Sequence, residues 1–193
     1  MPKIIALTGA KGCGKDTTAQ ILQSAYHISG ERLIVPIAFA DPIKREVMRI
    51  FDLKTVAEYD TFKRSIVQSN NVTIDGRHVV REIGMLMRKY DVNQFVEYVD
   101  QRINTEDSNP QRETIWVITD LRFDNELVHL QNLGAKIVKI DRPFGGVIDT
   151  HITERGFDNN ICDVVVENKS TLGEYTTEVL RIFDKKLTEW KWL

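Results

Sequence analysis

A glycine-rich stretch with a lysine lies directly after the first apolar run of the chain. Its spacing is Gly9-x4-Gly14-Lys15, and Gly12 and Cys13 lie inside it. Glycines allow backbone N–H groups to turn inward around phosphate oxygens, and the N-terminus of a following helix adds a partial positive charge. The lysine can then reach the β- and γ-phosphates of a nucleotide. The pattern predicts a nucleotide-phosphate site at Gly12, Cys13, Gly14 and Lys15, and disfavours a glycine-rich turn that binds no nucleotide.

The residues after this lysine depart from the usual pattern, which has Ser or Thr in the next position. Asp16 occupies that position, and Thr17 follows it. Asp16 can hold magnesium through a water molecule, or it can cap and charge the first helical turn. A direct contact between Thr17 and Mg²⁺ is the favoured interpretation, and both residues are candidate ligands of the ion.

A second charged group, Asp120-Leu121-Arg122, follows the third predicted strand. An acidic residue at this point can orient the hydration shell of magnesium, and an arginine can hold a phosphate through two hydrogen bonds. Asp120 is therefore a third candidate for the metal, and Asp120 and Arg122 are candidate catalytic residues. The structural alternative is a buried Asp–Arg pair that only stabilises the sheet. Glu126, one helical turn later, either braces Arg122 or is an exposed helical glutamate.

Positive side chains are frequent in the middle of the chain. Lys44 follows the second predicted strand, and Arg64, Arg81 and Arg88 lie in a helical region. Arg81 and Arg88 are seven residues apart, so they share one helical face. Phosphoryl transfer depends on alignment and charge neutralisation, for which arginine is well suited. We expect at least two of the three arginines to face a cleft, although any one of them, like Lys44, can be a solvated surface charge.

Arg142-Pro143 follows the fourth predicted strand, and Gly145-Gly146 comes next. Flexible backbone at this position predicts a flap over the phosphates, with Arg142 as a catalytic candidate. His151 and Glu154 are too few to indicate a metal site. A loop with a surface histidine is favoured over a catalytic histidine.

The periodicity of apolar residues places these groups on a regular α/β framework. Helix-like spacing also covers 55–103, with a polar interruption at 69–76. Five buried strands that alternate with helices predict a parallel sheet with helices on both faces, and ligands bind beyond the carboxyl ends of such strands. The predicted strands are 3–8, 33–39, 114–119, 136–140 and 163–166. The predicted helices are 15–26, 41–51 with Asp41 as its N-cap, 123–133, and one that begins with a capping box at Thr171 and whose apolar face would carry Leu172, Tyr175, Val179, Ile182 and Phe183.

The bulk properties exclude several other classes of protein. The chain has 193 residues and a net charge of −2, so an overall basic surface for nucleic acid is not expected. The apolar runs are far shorter than the roughly 20 residues that span a bilayer. Cys13 and Cys162 have neither a disulfide nor a metal-ligand spacing, which favours reduced thiols and a cytoplasmic protein.

Several motifs, taken in order, resemble the phage-type deoxynucleoside monophosphate kinase family. The resemblance covers about residues 4 to 183, and only its first element is generic. One departure is Phe95, which stands where the family more usually has tryptophan. The matching segments are Gly9-Ala-Lys-Gly-Cys-Gly-Lys-Asp-Thr17, Phe39-Ala-Asp-Pro-Ile-Lys44, Arg81-Glu-Ile-Gly-Met-Leu-Met-Arg88, Asp120-Leu-Arg-Phe-Asp-Asn-Glu126, Ile140-Asp-Arg-Pro143, His151-Ile-Thr-Glu154 and Asp163-Val-Val-Val-Glu-Asn168.

The resemblance implies transfer of the γ-phosphoryl of ATP to a deoxynucleoside 5′-monophosphate, with Mg²⁺, in a nucleoside-monophosphate-kinase-like P-loop fold. Lys15 would neutralise the transferred phosphate, and Arg142 would come from the lid. Arg122, Arg88 and Arg64 would hold the acceptor phosphate. Lys44, Arg81 and Glu126 are further candidates for substrate binding. The ATP site would include Gly12, Cys13, Gly14, Lys15, Asp16 and Thr17, with Asn168 and Thr171 near adenine.

The resemblance also implies one P-loop kinase domain over residues 1–193, with a helical substrate-binding insertion at about 42–105 and a short lid at about 142–160. Its partners would be ATP and the acceptor nucleotide, without nucleic acid or membrane, and a homodimer is compatible with it. If the chain is encoded by a phage, the expected location is the host cytoplasm.

Three other readings stay open. Another small-molecule P-loop kinase, such as one acting on phosphomevalonate, shares Gly-Lys-Asp. A GTP-binding switch is disfavoured, because Asp-x-x-Gly is missing after the third strand and the segment 168–171 lacks the aspartate that reads the base. A nucleotide-binding protein without catalysis, such as a subunit of a replication complex, is the third.

Overall fold

The structure is a computed structural model and describes residues 1–27, 32–69, 72–106, 113–143 and 156–192. A short 3₁₀ turn lies at Asn159–Ile161. The helices and strands, in chain order, are β1 (Lys3–Thr8), α1 (Lys15–Tyr26), β2 (Arg32–Ile37), α2 (Asp41–Ile50), α3 (Val56–Arg64), β3 (Ile66–Ser69), β4 (Val72–Asp75), α4 (Gly76–Tyr90), α5 (Gln94–Glu106), β5 (Glu113–Ile118), α6 (Asp124–Asn132), β6 (Lys136–Asp141), β7 (Val164–Glu167) and α7 (Leu172–Glu189).

Five strands form a parallel sheet in the order β2-β5-β1-β6-β7. Strand β1 lies at the centre and pairs with β5 on one side and with β6 on the other. Every residue from Ile4 to Thr8 is buried, so both faces of this strand are covered, as is usual for a parallel sheet. The predicted five-stranded parallel sheet of an α/β P-loop fold is confirmed.

The chain divides into two compact units, and the sheet belongs to the first, which comprises Met1–Ala38 and Asp100–Leu193. On one face of the sheet, Leu7 packs in a buried cluster with Leu22 of α1 and Phe183 of α7. Full burial of a phenylalanine such as Phe183 contributes about 2–3 kcal/mol. The two helices are thereby fixed beside the carboxyl end of β1, where the glycine-rich loop begins.

The second unit, Phe39–Val99, contains α2, α3, the β3–β4 hairpin and α4, and its last residues lie in α5. Helix α4 approaches α2 closely at Gly84, where a Cβ would lie 2.8 Å from Cδ1 of Ile43. The glycine therefore allows the close packing of these two helices. The assignment of 42–105 as a substrate-binding insertion stays a prediction.

The hairpin corrects the helix-like reading of the middle region. Strands β3 and β4 pair antiparallel, with Ile66 opposite Asp75, in the stretch where the sequence predicts a helical region with a polar interruption. Both strand sequences, Ile-Val-Gln-Ser and Val-Thr-Ile-Asp, are rich in the β-branched residues that favour strands. That local signal outweighs the helical spacing of the surrounding segments.

Two smaller expectations at helix ends were wrong. Asp41 is the first residue of α2 rather than its cap, and Ala40 occupies the capping position. The sequence also placed Leu172 on the buried face of the last helix, but Leu172 is 67% exposed. Leu172 is the first residue of α7, whereas the first buried residue of this helix is Tyr175. Tyr175, Val179 and Phe183 are buried as predicted.

Of the helices in the described ranges, none combines the length and apolar character needed to span a bilayer. Cys13 and Cys162 are both free thiols, as the sequence predicts.

Candidate active site

The glycine-rich loop connects the central strand β1 to helix α1, and its backbone depends on glycine at two points. Gly9 has φ 133° and Gly14 has φ 113°, a region that other residues rarely adopt. Side chains are also excluded by space. A Cβ on Gly9 would lie 2.3 Å from the carbonyl oxygen of Ile140, and one on Gly14 would lie 2.7 Å from Nδ2 of Asn168. The loop therefore follows a path that the surrounding residues enforce.

The ammonium group of Lys15 lies inside this loop. Its Nζ donates to the carbonyl oxygens of Gly9 at 2.8 Å and Ala10 at 2.9 Å, and the residue is 8% exposed. Within the described part of the chain, the acceptors of this ammonium are neutral, namely two carbonyl oxygens and the sulfur of Cys13, so its positive charge is held in the loop without a carboxylate partner. Such a charge is available to a phosphate, which would exchange for the carbonyl contacts.

Cys13 is buried inside the loop, and its thiol has the properties of a structural residue rather than of a nucleophile. Its Sγ lies 3.6 Å from Nζ of Lys15, and the residue is fully buried. Burial raises the pKa of the Cys13 thiol, and this effect outweighs the charge of Lys15, which lowers it. The thiol therefore stays protonated, and it packs rather than reacts.

Asn168, at the end of β7, lies directly beneath the loop. Its backbone N–H donates to the carbonyl of Asp141 at 2.7 Å, and its side-chain Nδ2 donates to the carbonyl of Cys13 at 2.8 Å. The residue is 6% exposed, so its amide group faces the protein interior. The contact with adenine that the resemblance implies for Asn168 stays a prediction.

A chain of hydroxyl groups reaches the same loop from α7. Thr18 Oγ1 donates to the carbonyl of Gly14 at 2.9 Å and lies 2.6 Å from the hydroxyl of Tyr175. Because the single hydroxyl proton of Thr18 is directed to Gly14, the Tyr175 hydroxyl is the donor to Thr18. Sequence analysis missed both roles, since Tyr175 was recognised only as a buried residue of the last helix.

The end of β5 lies beside the end of β1, because the N–H of Leu121 donates to the carbonyl of Leu7 at 3.2 Å. This places the segment with Asp120 and Arg122 next to the start of the loop, as the sheet order requires. Glu126 is 1% exposed, and its carboxylate accepts from the backbone N–H groups of Arg122 at 3.0 Å and Phe123 at 3.1 Å. Glu126 therefore caps α6 and fixes the backbone of Arg122, and the alternative of an exposed glutamate was wrong.

The end of β6 also reaches the site. Burial raises the pKa of the Tyr175 hydroxyl, and the positive charge of Arg142, the residue after β6, partly opposes that shift. Arg142 itself is exposed and lies close enough to Tyr175 to act on it electrostatically. Gly156 packs against the first loop glycine, since a Cβ on Gly156 would lie 3.0 Å from Cα of Gly9. Residues 144–155, including His151 and Glu154, lie outside the described residues.

The candidate metal ligands have the chemistry that magnesium prefers. Asp16 is exposed in the first turn of α1, Thr17 is half-buried beside it, and Asp120 follows β5. All three offer hard oxygen donors, and Mg²⁺ needs only one or two carboxylates because phosphates and waters complete its shell. In the described part of the chain, no group of three or more His, Cys, Asp or Glu residues is arranged to hold a metal by itself. The residues present thus fit an ion that is bound together with a nucleotide.

Two of the cationic candidates in the second unit lie over aromatic rings. Nζ of Lys44 lies 5.5 Å from the centre of the Tyr59 ring, and the guanidinium of Arg88 lies 4.5 Å from the centre of the Phe95 ring. Arg81 and Arg88 both lie in α4, as predicted, and Arg64 is exposed at the end of α3. The stacking of Arg88 gives Phe95 a role that the sequence alone did not show.

The fold and the glycine-rich loop together are typical of one class of protein. A central parallel strand, a glycine loop with a buried lysine and a helix form the phosphate-binding unit of P-loop kinases. Dephospho-CoA kinase from Campylobacter jejuni has a similar fold, with a TM-score of 0.51 and 12% identity over 96% of this chain and 97% of that chain. APS kinase from Mycobacterium tuberculosis matches with a TM-score of 0.45 and 11% identity over 95% and 98% of the two chains. The chain has the fold of the P-loop kinases.

Comparison with known sequences is more specific about the family than comparison with solved structures. The model of the deoxynucleotide monophosphate kinase family matches residues 3–109 and 94–179. A protein of Acanthamoeba polyphaga mimivirus, described provisionally as a deoxynucleotide monophosphate kinase, is 28% identical over 195 aligned positions, which cover 94% of this chain and 96% of the relative. The chain belongs to the deoxynucleotide monophosphate kinase family, and the resemblance seen in its sequence is confirmed.

Proposed function

We propose that this protein transfers the γ-phosphoryl group of ATP to a deoxynucleoside 5′-monophosphate and releases a deoxynucleoside diphosphate and ADP. The observation that carries the proposal is the buried ammonium of Lys15 inside a glycine loop, in a chain of this family. Family membership supports nucleotide substrates, and the loop geometry supports a bound polyphosphate.

The geometry of the loop supports a binding mode for ATP, the phosphoryl donor. The amides of Gly12, Gly14 and Lys15 would surround the β- and γ-phosphates, and Lys15 would exchange its two carbonyl acceptors for phosphate oxygens. The amide of Cys13, which donates to the carbonyl of Ala10 at 3.2 Å, would have to exchange that bond to join them. Phosphoryl transfer spreads negative charge over the equatorial oxygens, so fixed positive groups stabilise the transition state. Thr171, exposed at the start of α7, remains the candidate contact for adenine.

The acceptor end would rely on arginine. Arg122 is attached to a backbone that Glu126 fixes by two hydrogen bonds, which suits a residue that must hold a phosphate in one position. Arg142, at the end of β6, would add charge during transfer. The other acceptor candidates lie in the second unit and are Lys44, Arg64, Arg81 and Arg88.

Magnesium would be held by oxygen atoms of Asp16, Thr17 and Asp120 together with phosphate oxygens. When bound, the ion supplies charge neutralisation between neighbouring phosphates. The exposure of Asp16 and the position of Asp120 beside the loop support a role for both carboxylates at such an ion.

The test is a coupled assay of ADP release with ATP and Mg²⁺. The acceptors are dAMP, dGMP, dCMP, dTMP, the corresponding ribonucleotides and a set of non-nucleotide phosphates that includes phosphomevalonate. We expect turnover that depends on at least one deoxynucleotide. ADP release driven by a non-nucleotide phosphate, with none driven by any deoxynucleotide, would overturn the proposal.

A further inference from the structure

The loop carbonyls at Cys13 and Gly14 are both anchored to the protein interior. Asn168 Nδ2 donates to the carbonyl of Cys13 at 2.8 Å. The next carbonyl, that of Gly14, accepts from the N–H of Thr18 at 2.8 Å and from its hydroxyl at 2.9 Å. The hydroxyl of Tyr175, whose side chain is 1% exposed, supports Thr18 from behind. We call Asn168, Thr18 and Tyr175 the loop brace.

Anchoring a carbonyl also fixes the direction of the adjoining N–H. A trans peptide is planar, and its C=O and N–H bonds point in opposite directions. With the carbonyl of Cys13 directed at Asn168, the N–H of Gly14 points away from the interior. By the same geometry, the carbonyl of Gly14 directs the N–H of Lys15 away from Thr18. The loop brace therefore sets two consecutive donors of the predicted phosphate site.

The contact is closely fitted and hidden from solvent. A Cβ on Gly14 would lie 2.7 Å from Nδ2 of Asn168, so only glycine allows the amide to reach the loop at this point. Asn168 is 6% exposed, and its backbone is held to Asp141 at 2.7 Å. An amide that is buried and already donating inward is placed to shape the loop rather than to read a base.

We propose that Asn168 is a positioning residue for the phosphoryl donor, which acts on the triphosphate through the amide of Gly14 and not by contact with adenine. The inference rests on the proposed nucleotide site. It makes Asn168 equally important for every ligand with a polyphosphate, whatever its base. A residue that recognises adenine would instead matter only for adenine nucleotides.

Three ligands separate the two roles: ATP, GTP and inorganic tripolyphosphate, each with Mg²⁺ and measured by titration calorimetry. The variants are Asn168→Ala and the nearly isosteric Asn168→Asp, which replaces the donating amide by a carboxylate. Asn132→Ala, at an exposed position on α6, is the matched control. Thermal unfolding of each variant shows whether it is folded before binding is measured.

Loss of one hydrogen bond that orients a donor is expected to weaken binding about tenfold. We expect this loss for ATP and tripolyphosphate alike, with the ratio of ATP to GTP affinity unchanged, and with a raised KM for ATP but not for the acceptor. If the variants lose affinity for ATP and keep it for tripolyphosphate, or if the ratio of ATP to GTP affinity changes, Asn168 reads the base and the inference is wrong. Unchanged affinity for all three ligands would overturn it as well.

Tyr175→Phe provides a second test that does not depend on Asn168 variants being folded. It removes only the hydroxyl that supports Thr18, and a smaller loss of the same kind is expected for ATP and tripolyphosphate. Tyr90→Phe, at a position that is 84% exposed, is its control and should bind like the wild type. A wild-type protein that binds neither ATP nor tripolyphosphate would contradict the proposed function itself, whereas normal wild-type binding with unaffected variants contradicts the loop brace alone.

Discussion

At the scale of single residues, the site combines one buried positive charge with neutral supports. Lys15 donates to two backbone carbonyls of its own loop, which hold the ammonium in place without neutralising it. A carboxylate partner would have competed with phosphate for the same charge. The protonated thiol of Cys13 and the amide of Asn168 are neutral as well, so the loop keeps its positive potential.

Replacement of Lys15 by alanine should remove most of the activity. Because Lys15 carries the buried ammonium of the loop, whereas Lys11 is exposed, we expect kcat to fall by about 10³-fold or more. The unfolding midpoint should change by less than about 4 °C, since only two hydrogen bonds to carbonyls are lost. Lys185→Ala, at an exposed position on α7, is the control for loss of a lysine. Activity near that of the wild type in Lys15→Ala would exclude the assigned role.

Replacement of Arg122 by alanine should impair use of the acceptor. The backbone of Arg122 is fixed by Glu126, so we expect a loss of about 10²-fold or more in kcat/KM for the deoxynucleotide, with a smaller effect on the KM for ATP. Arg122→Lys keeps the charge but loses the two-pronged geometry and should recover only part of the loss. Arg181→Ala, on an exposed face of α7, is the matched control. Wild-type turnover in Arg122→Ala would place the acceptor phosphate elsewhere.

At the scale of elements, helix α7 supports the loop from a distance along the chain. Its N-terminus is closed by a capping box, in which Thr171 Oγ1 accepts from the N–H of Glu174, and Glu174 accepts from the N–H of Thr171. Tyr175 lies in the next turn of α7, and its hydroxyl forms a hydrogen bond with Thr18. A local cap on α7 is thus connected to the hydrogen bonds that shape the phosphate loop.

Thr171→Ala should destabilise the protein by about 1 kcal/mol, the usual effect of removing a helix cap, whereas Thr171→Ser should keep most of that stability. Chemical denaturation measures both values. Thr177→Ala, farther along the same helix and exposed, is the comparison for a threonine whose hydroxyl only bonds within the helix. Equal stability of Thr171→Ala and the wild type would show that the cap contributes nothing to α7.

The local sequence pattern predicted most of the helices and strands. Contacts between residues that are far apart in the chain could not be predicted from it. The β1–loop–α1 unit was recognised because its glycines, lysine and apolar residues lie within one short stretch. The contact between Asn168 and Cys13 joins residues that are 155 positions apart, and that between Thr18 and Tyr175 spans 157 positions. No spacing rule connects such residues in a single sequence. The β3–β4 hairpin was missed for a different reason, because short β-branched runs lay inside a longer helical pattern.

At the scale of the whole molecule, ion pairs connect the amino ends of the sheet strands, which lie opposite the active site. The carboxylate of Glu113, at the start of β5, bonds with Lys3 of β1 and with Nε of Arg32 of β2. Burial alone raises the pKa of Glu113, but the hydrogen bonds from Lys3 and Arg32 outweigh this effect and hold the pKa below its ordinary value. Three neighbouring strands are connected at this one side chain.

The sign of this shift predicts how stability depends on pH. A carboxylate whose pKa is lowered by folding stabilises the protein above its unfolded pKa, about 4.3 for glutamate, and loses this contribution as pH falls through the folded value. The unfolding midpoint of Glu113→Gln should therefore lie below that of the wild type at neutral pH, and the two should converge as the pH falls through the folded pKa of Glu113, which lies below its ordinary value. Glu167→Gln, on the more exposed pair with Lys169, should show a smaller difference at neutral pH. A Glu113→Gln difference that is constant across this range would contradict the assignment.

The central claim is that the loop around Lys15 binds ATP so that its γ-phosphoryl group passes to a deoxynucleotide. The most direct measurement follows the label from γ-³²P-ATP in the presence of Mg²⁺ and each deoxynucleoside monophosphate, with products separated by chromatography. We predict that the label appears in a deoxynucleoside diphosphate in equal amount to the ADP formed, and that Lys15→Ala abolishes this transfer. Label found only in inorganic phosphate, or no consumption of ATP with any deoxynucleotide, would contradict the account.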